Sequence, residues 1–138
     1  MKQIIFWIAI ILLIVACSTQ KGIVKVKSND VESVVDDSLE YELETFDGQF
    51  ETWYQLHKSP AMDRSQQYYE NWNRQYVSAW NYNATNGRRK SFFEPIVGYD
   101  FATDYGFELN RELFYYFQYV EHVLKIQIMP GGPRAGIF

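Results

Sequence analysis

Aromatic and polar residues recur with a helical period between Ser65 and Asn83. At 100° per residue, six residues fall within about 120° of arc: Tyr68, Tyr69, Trp72, Tyr76, Ala79 and Trp80. A polar set clusters on the opposite side, namely Gln67, Glu70, Arg74, Ser78 and Asn81, and Val77 breaks the pattern. Ser65 can cap the first turn, and Asn86-Gly87 can end the helix. The pattern therefore predicts a helix that forms the spine of one aromatic-cored domain.

Shorter patterns before and after this helix predict the remaining elements. Residues 39–46 alternate apolar and glutamate side chains, which is typical of an edge strand. Helical spacing predicts a first helix over 47–58, which Asp47 caps, and a third helix over 109–124. An Ile-Gln-Ile triplet at 126–128 indicates a closing strand beside the first one. The expected fold class is α+β and helix-dominated: strand, three helices, strand, with a small two-stranded sheet against the helices.

The N-terminal residues have the pattern of a targeting segment. A positive start at Lys2 is followed by 12 apolar residues over 4–15, a run too short to span a membrane comfortably. The sequence Ile14-Val15-Ala16-Cys17 resembles the bacterial lipobox. The resemblance implies cleavage before Cys17, acylation of that cysteine with palmitate-type chains, and anchoring in a cell-envelope membrane. Because Ser18 rather than Asp follows, the resemblance also implies the outer membrane, facing the periplasm.

These patterns divide the chain into four parts. We expect a signal peptide at 1–16, an acylated cysteine with a flexible tether at 17–37, a single globular domain at 38–129, and a disordered tail at 130–138. Weak alternation at 22–27 would also allow a short strand inside the tether.

Composition and motifs exclude several classes of function. The formal charge of -4 argues against nucleic-acid binding, which needs phosphate-neutralising basic residues. A single cysteine excludes an internal disulfide, a Cys-x-x-Cys redox pair and a cysteine zinc site. The sequence carries no Gly-x-Ser-x-Gly, P-loop or dinucleotide fingerprint, and no His-x-x-x-His pair. We therefore expect no cofactor, no metal site and no identifiable catalytic residue.

Aromatic residues dominate the predicted domain. They outnumber Leu, Ile and Val by 22 to 13 between Leu39 and Met129, so most of the rings are needed for the core. The rings outside the helical stripes are the candidates for a surface patch: Tyr82, Phe92, Phe93, Tyr99, Phe101 and Tyr105.

Three functional hypotheses follow from these features. The first is a non-enzymatic module that binds an envelope protein or has a structural role, with a contact surface at Tyr99, Phe101 and Tyr105. The alternative is a glycan- or peptidoglycan-binding module that uses amide, aromatic and basic side chains, namely Asn73, Asn81, Tyr82, Arg88, Arg89 and Lys90. The second alternative is a carboxylate-dependent hydrolase, although no pair of acids is singled out by the sequence.

Several segments of the domain also resemble an uncharacterised family of small lipoproteins from Bacteroidota-type bacteria. These segments are Ser38-Leu-Glu-Tyr-Glu-Leu, Phe50-Glu-Thr-Trp-Tyr54, Tyr68-Tyr-Glu-Asn-Trp-Asn-Arg-Gln-Tyr76 and Asp104-Tyr-Gly-Phe-Glu-Leu-Asn110. The resemblance covers roughly residues 37–128 and supports the location and the domain limits. It implies no activity, so it assigns no catalytic or binding residue.

Overall fold

The computed structural model describes residues 24–28, 41–45, 47–86, 90–93 and 97–133. An antiparallel strand pair comes first, and four helices and a short 3-10 turn follow within these ranges. The elements are β1 Val24–Ser28, β2 Tyr41–Thr45, α1 Gly48–His57, the 3-10 turn Pro60–Met62, α2 Gln66–Asn86, α3 Lys90–Phe93 and α4 Gly106–His122.

The ends of α1 follow from its sequence. The Asp47 carboxylate accepts hydrogen bonds from the backbone N–H groups of Gln49 at 2.9 Å and Phe50 at 3.3 Å, which confirms the predicted N-cap. The last helical bond runs from Lys58 N–H to the Tyr54 carbonyl at 2.8 Å. Proline at position 60 disfavours helical geometry at the preceding residue, and the chain therefore leaves the helix there.

The predicted central helix is confirmed as α2, but its buried face differs from the aromatic stripe. Val77, which interrupted the stripe, is buried, whereas Trp72 and Ala79 are only half-buried. Asn73 also lies on the buried face and is fully enclosed. The contact with α4 therefore decides which residues of α2 face inward.

The most enclosed helix is α4, not α2. Eleven of its 17 residues are buried, against six of 21 in α2. It packs against α2 through Tyr76 and Phe117, whose rings are stacked at 5.0 Å. On another side it meets α1 through Phe50 and Tyr116, whose rings make an edge contact at 5.1 Å. A helix surrounded by neighbours is buried on most of its circumference, which makes α4 the centre of the core.

The predicted α+β class is wrong, because helices form the core. All buried apolar side chains among the described residues lie at Phe50 or beyond, and only helices and turns occur after Thr45 in the described part. The segment 126–128 is not a strand: Ile126 N–H bonds to the Val120 carbonyl at 3.0 Å, and Ile128 N–H bonds to Glu121 Oε1 at 3.0 Å. These groups are bound to the end of α4 and are not available for strand pairing.

The strand pair therefore differs from the one expected. In the structure β2 pairs with β1, with Val24 opposite Thr45, and not with a C-terminal strand. Lys125 adopts a positive φ of 56°, which turns the chain back sharply after α4. The backbone then runs against α4 and α2, where Ile128 N–H donates to Glu121 Oε1 and the Ile128 carbonyl accepts from Asn83 Nδ2.

Candidate functional site

A segment over residues 97–105 connects α3 to α4, and side chains of α2 hold it in place. Asn81 binds both backbone polar groups of Val97. Its Oδ1 accepts from the Val97 N–H at 2.9 Å, and its Nδ2 donates to the Val97 carbonyl at 3.2 Å. About two turns earlier on α2, Arg74 Nη2 donates to the Phe101 carbonyl at 3.0 Å. The backbone of the segment is thus fixed to α2 at two points.

The tip of this segment is a turn fixed from within by Asp100. Its carboxylate accepts from Ala102 N–H at 3.0 Å and from the Thr103 hydroxyl at 2.9 Å. These hydrogen bonds lower the pKa of Asp100. The Asp100 N–H donates in turn to the Tyr105 hydroxyl at 2.8 Å. We call residues 99–105 the aromatic turn.

The three aromatic residues of this turn have different environments. Tyr99 is buried, its hydroxyl donates to Asn110 Oδ1 at 2.7 Å, and burial raises its pKa to about 12. Tyr105 is half-buried, with its ring 4.7 Å from that of Tyr99. Phe101 is 46% exposed. The rings of Tyr99 and Tyr105 stabilise the turn from within, and the Phe101 ring is exposed on its surface.

Of the residues predicted for glycan binding, the three whose side chains are described do not form one exposed surface. Asn73 is fully buried and donates to the Asn110 carbonyl at 2.8 Å, whereas Tyr82 is 65% exposed. Asn81 holds the chain at Val97, as described above. Arg88 and Arg89 lie outside the described residues, as do the side chain of Lys90 and the predicted lipidation site, Cys17.

A buried arginine with two acidic partners was missed by sequence reasoning. Arg111 Nε donates to the Tyr54 hydroxyl at 3.1 Å, and its Nη1 donates to Asp63 Oδ2 at 2.8 Å. Its Nη2 contacts Glu108, one turn earlier on α4. The i,i+3 spacing of Glu108 and Arg111 was the only sequence signal for this cluster. The arginine joins α1, the 3-10 turn and α4, and it compensates the Asp63 charge.

One carboxyl group beside this cluster has an unusual pKa. Glu112 is half-buried, and burial together with the nearby Glu51 carboxylate raises its pKa to about 7. Asp63 and Glu108, by contrast, are bound to the arginine. Glu112 therefore holds its proton to a higher pH than an ordinary carboxyl group does.

The part of the chain that the structure describes lacks two kinds of feature. There, no three His, Cys, Asp or Glu side chains are grouped so that they could hold a metal ion. None of the described helices combines the length and the apolar character that crossing a membrane requires.

Comparison with known families matches nearly the whole chain to one family. A sequence model of a family of unknown function, DUF6146, matches residues 5–131. No curated protein and no solved structure gave a significant match. The matched range contains all the described helices and the aromatic turn. The expected membership of an uncharacterised family is confirmed in this form: the chain belongs to DUF6146, a family of unknown function.

Proposed function

We propose that this protein is a lipid-anchored component of the cell envelope whose helical domain binds another envelope protein. The anchor is supported by the apolar run that ends at Cys17, and the outer-membrane location by Ser18 after it. The protein holds its partner and does not transform it. The exposed ring of Phe101 on the aromatic turn carries the binding part of the proposal.

The aromatic turn has the physical properties of a binding element. Exposed aromatic side chains supply a large share of the energy at protein interfaces when they enter a pocket of the partner. Binding is weakened when a flexible loop must first be ordered. Here the turn is already fixed by Arg74, Asp100 and Tyr105, so little conformational freedom of the backbone is lost when Phe101 is buried by a partner.

The anchor is tested at Cys17. Cells that express the wild-type protein or Cys17→Ser are fed a labelled palmitate analogue, and their membranes are separated on a density gradient. We expect label and outer-membrane location for the wild type, and loss of both for the variant. Retention of label in the variant would exclude Cys17 as the lipidation site.

The binding surface is tested by site-specific photo-crosslinking. A photoreactive phenylalanine analogue replaces Phe101 in one strain and Tyr82 in another, since both side chains are exposed and Tyr82 lies outside the aromatic turn. We expect a discrete crosslinked envelope protein from position 101 only. The same crosslink from both positions, or none from position 101, would refute the turn as the contact surface.

A further inference from the structure

The most exposed large apolar side chain among the described residues lies at a corner between α1 and α2. Leu56 is 77% exposed at the end of α1, and Met62 is 40% exposed at the end of the 3-10 turn. Pro60 and Ala61, between them, are also exposed. We call residues 56–62 the apolar corner. Exposed apolar side chains concentrated in so short a stretch are typical of a contact surface.

This corner is held rigidly. Within it, Met62 N–H bonds to the Ser59 carbonyl at 2.9 Å. On either side of it, Tyr54 and Asp63 bind the same buried arginine, Arg111, at 3.1 and 2.8 Å. Both ends of the corner are thus fixed to α4, and the exposure of Leu56 and Met62 is a property of the folded domain.

Two cations accompany the apolar side chains. Lys58 Nζ lies 5.5 Å from the centroid of the Tyr54 ring, and Arg64 Cζ lies 5.9 Å from the centroid of the Tyr68 ring. Both basic residues are exposed. Between them, the Asp63 charge is compensated by the buried arginine. Apolar side chains beside exposed cations match a bilayer surface, where acyl chains begin below anionic head groups.

The geometry of the chain places this corner within reach of an anchored membrane. Only six residues, 18–23, separate Cys17 from β1, so they span at most about 25 Å. The pairing of Val24 with Thr45 puts the start of β1 close to the start of α1. The corner lies one length of α1 away, which is about 15 Å.

We propose that the apolar corner rests on the anionic surface of the membrane that carries the lipid anchor, an inference that relies on the proposed anchoring at Cys17. This contact orients the domain, whereas the aromatic turn binds the protein partner. A protein partner at the corner is the competing interpretation, and the experiment below separates the two.

The test places an environment-sensitive fluorescent amino acid at position 62, with position 82 as the matched exposed control. The full-length protein is extracted from its membrane and reconstituted into vesicles of phosphatidylethanolamine and phosphatidylglycerol. We expect a blue shift at position 62 and about threefold stronger quenching by bromine-labelled acyl chains there than at position 82. The difference should fall by about half in the double variant Lys58→Glu, Arg64→Glu, and in phosphatidylcholine vesicles.

Equal quenching at positions 62 and 82 would overturn the proposal. So would shielding of position 62 that requires added envelope proteins, because the corner would then be a protein interface. Vesicle flotation reports the anchor separately. If the protein does not float, anchoring is refuted, and titration of the unanchored protein with the same vesicles decides the corner: a blue shift at position 62 supports it, and no shift overturns it.

Discussion

The hydroxyl of Tyr76 donates a 3.0 Å hydrogen bond to Glu121 Oε2, and this contact ties the middle of α2 to the end of α4. The other carboxylate oxygen accepts from the backbone N–H groups of Ile128 at 3.0 Å and Met129 at 3.1 Å. A third polar side chain, Gln118, donates to the Tyr76 hydroxyl at 2.9 Å. One carboxylate thus joins two helices to the segment that follows them.

Replacement of Glu121 should destabilise the domain. Glu121→Ala leaves the Tyr76 hydroxyl and two backbone N–H groups without their acceptor, so we expect the free energy of unfolding to fall by about 2–4 kcal/mol. Glu121→Gln keeps an amide oxygen for the backbone groups and should lose about 1 kcal/mol. Urea unfolding measures both. The exposed Gln67→Ala is the control; a loss for Glu121→Ala no larger than for the control would contradict the role of this contact.

Gly132 should not tolerate a side chain. A Cβ atom at this position would lie 2.2 Å from the Tyr76 hydroxyl oxygen. We expect Gly132→Ala to cost about 1–3 kcal/mol, because the tightly packed segment must shift. In a Tyr76→Phe background the cost should be smaller, since the hydroxyl is absent.

The control for this substitution is Gly98→Ala, where a Cβ would meet no atom within 4 Å. Thermal unfolding of the wild type, the three single variants and the double variant gives the comparison. Equal losses at positions 98 and 132 would show that residues 130–133, assigned to a disordered tail from sequence, are not packed in solution as they are here.

The two hydrogen bonds between Asn81 and Val97 should keep the aromatic turn well ordered. Asn81→Asp keeps an acceptor for the Val97 N–H but replaces the donor with an oxygen that faces the Val97 carbonyl. We expect a loss of about 1–3 kcal/mol in stability. Amide hydrogen exchange in 97–105 should become faster, and crosslinking from position 101 should decrease. Asn71→Asp, on the exposed side of α2, is the control; exchange in 97–105 that is equally slow in both variants would contradict the prediction.

Glu112 should give stability an unusual dependence on pH. Burial and Glu51 raise its pKa in the folded protein from 4.5 to about 7. Between these values the folded state holds a proton that the unfolded chain has released, so this group's contribution to stability falls as the pH rises. Above pH 7 the carboxylate is charged in both states, and the full cost of burying its charge lowers the stability of the folded protein.

Glu112→Gln removes this titration. The stability of the variant relative to the wild type should therefore increase by about 1–2 kcal/mol from pH 4.5 to 7, a range that allows for solvent screening of a half-buried group. Urea unfolding across this pH range measures the difference. A difference that is constant with pH would show that Glu112 titrates normally in the folded state.

Local patterns predicted the three longer helices, because their signals lie within one element, but they missed the short helix α3. The carboxyl group of Asp47 meets N–H groups two and three residues away, so its cap is readable from sequence. The closing strand failed for the opposite reason. Ile-Gln-Ile alternates like a strand, but the partner of Ile128 N–H is the Glu121 side chain. An alternating apolar-polar pattern carries no information about such a contact.

The candidate site shows the same limit. The sequence indicated that the aromatic residues of 99–105 lie outside the helical stripes. It could not separate the exposed Phe101 from the buried Tyr99. That separation depends on Asn110, which accepts the Tyr99 hydroxyl hydrogen bond from a different element. Arg111 was missed because Tyr54, one of its partners, is 57 positions away in the chain.

The sequence by itself determined that this protein has an aromatic core carried by helices, because helical periodicity and the shortage of aliphatic residues are local properties of the chain. Only the tertiary structure decided which helix is central, where the segment after α4 goes, and which exposed side chains, Leu56 and Phe101 among them, remain outside. Those outcomes depend on hydrogen bonds and ring contacts between distant residues. Their energies are as large as the local preferences they override, and they arise only when the elements pack.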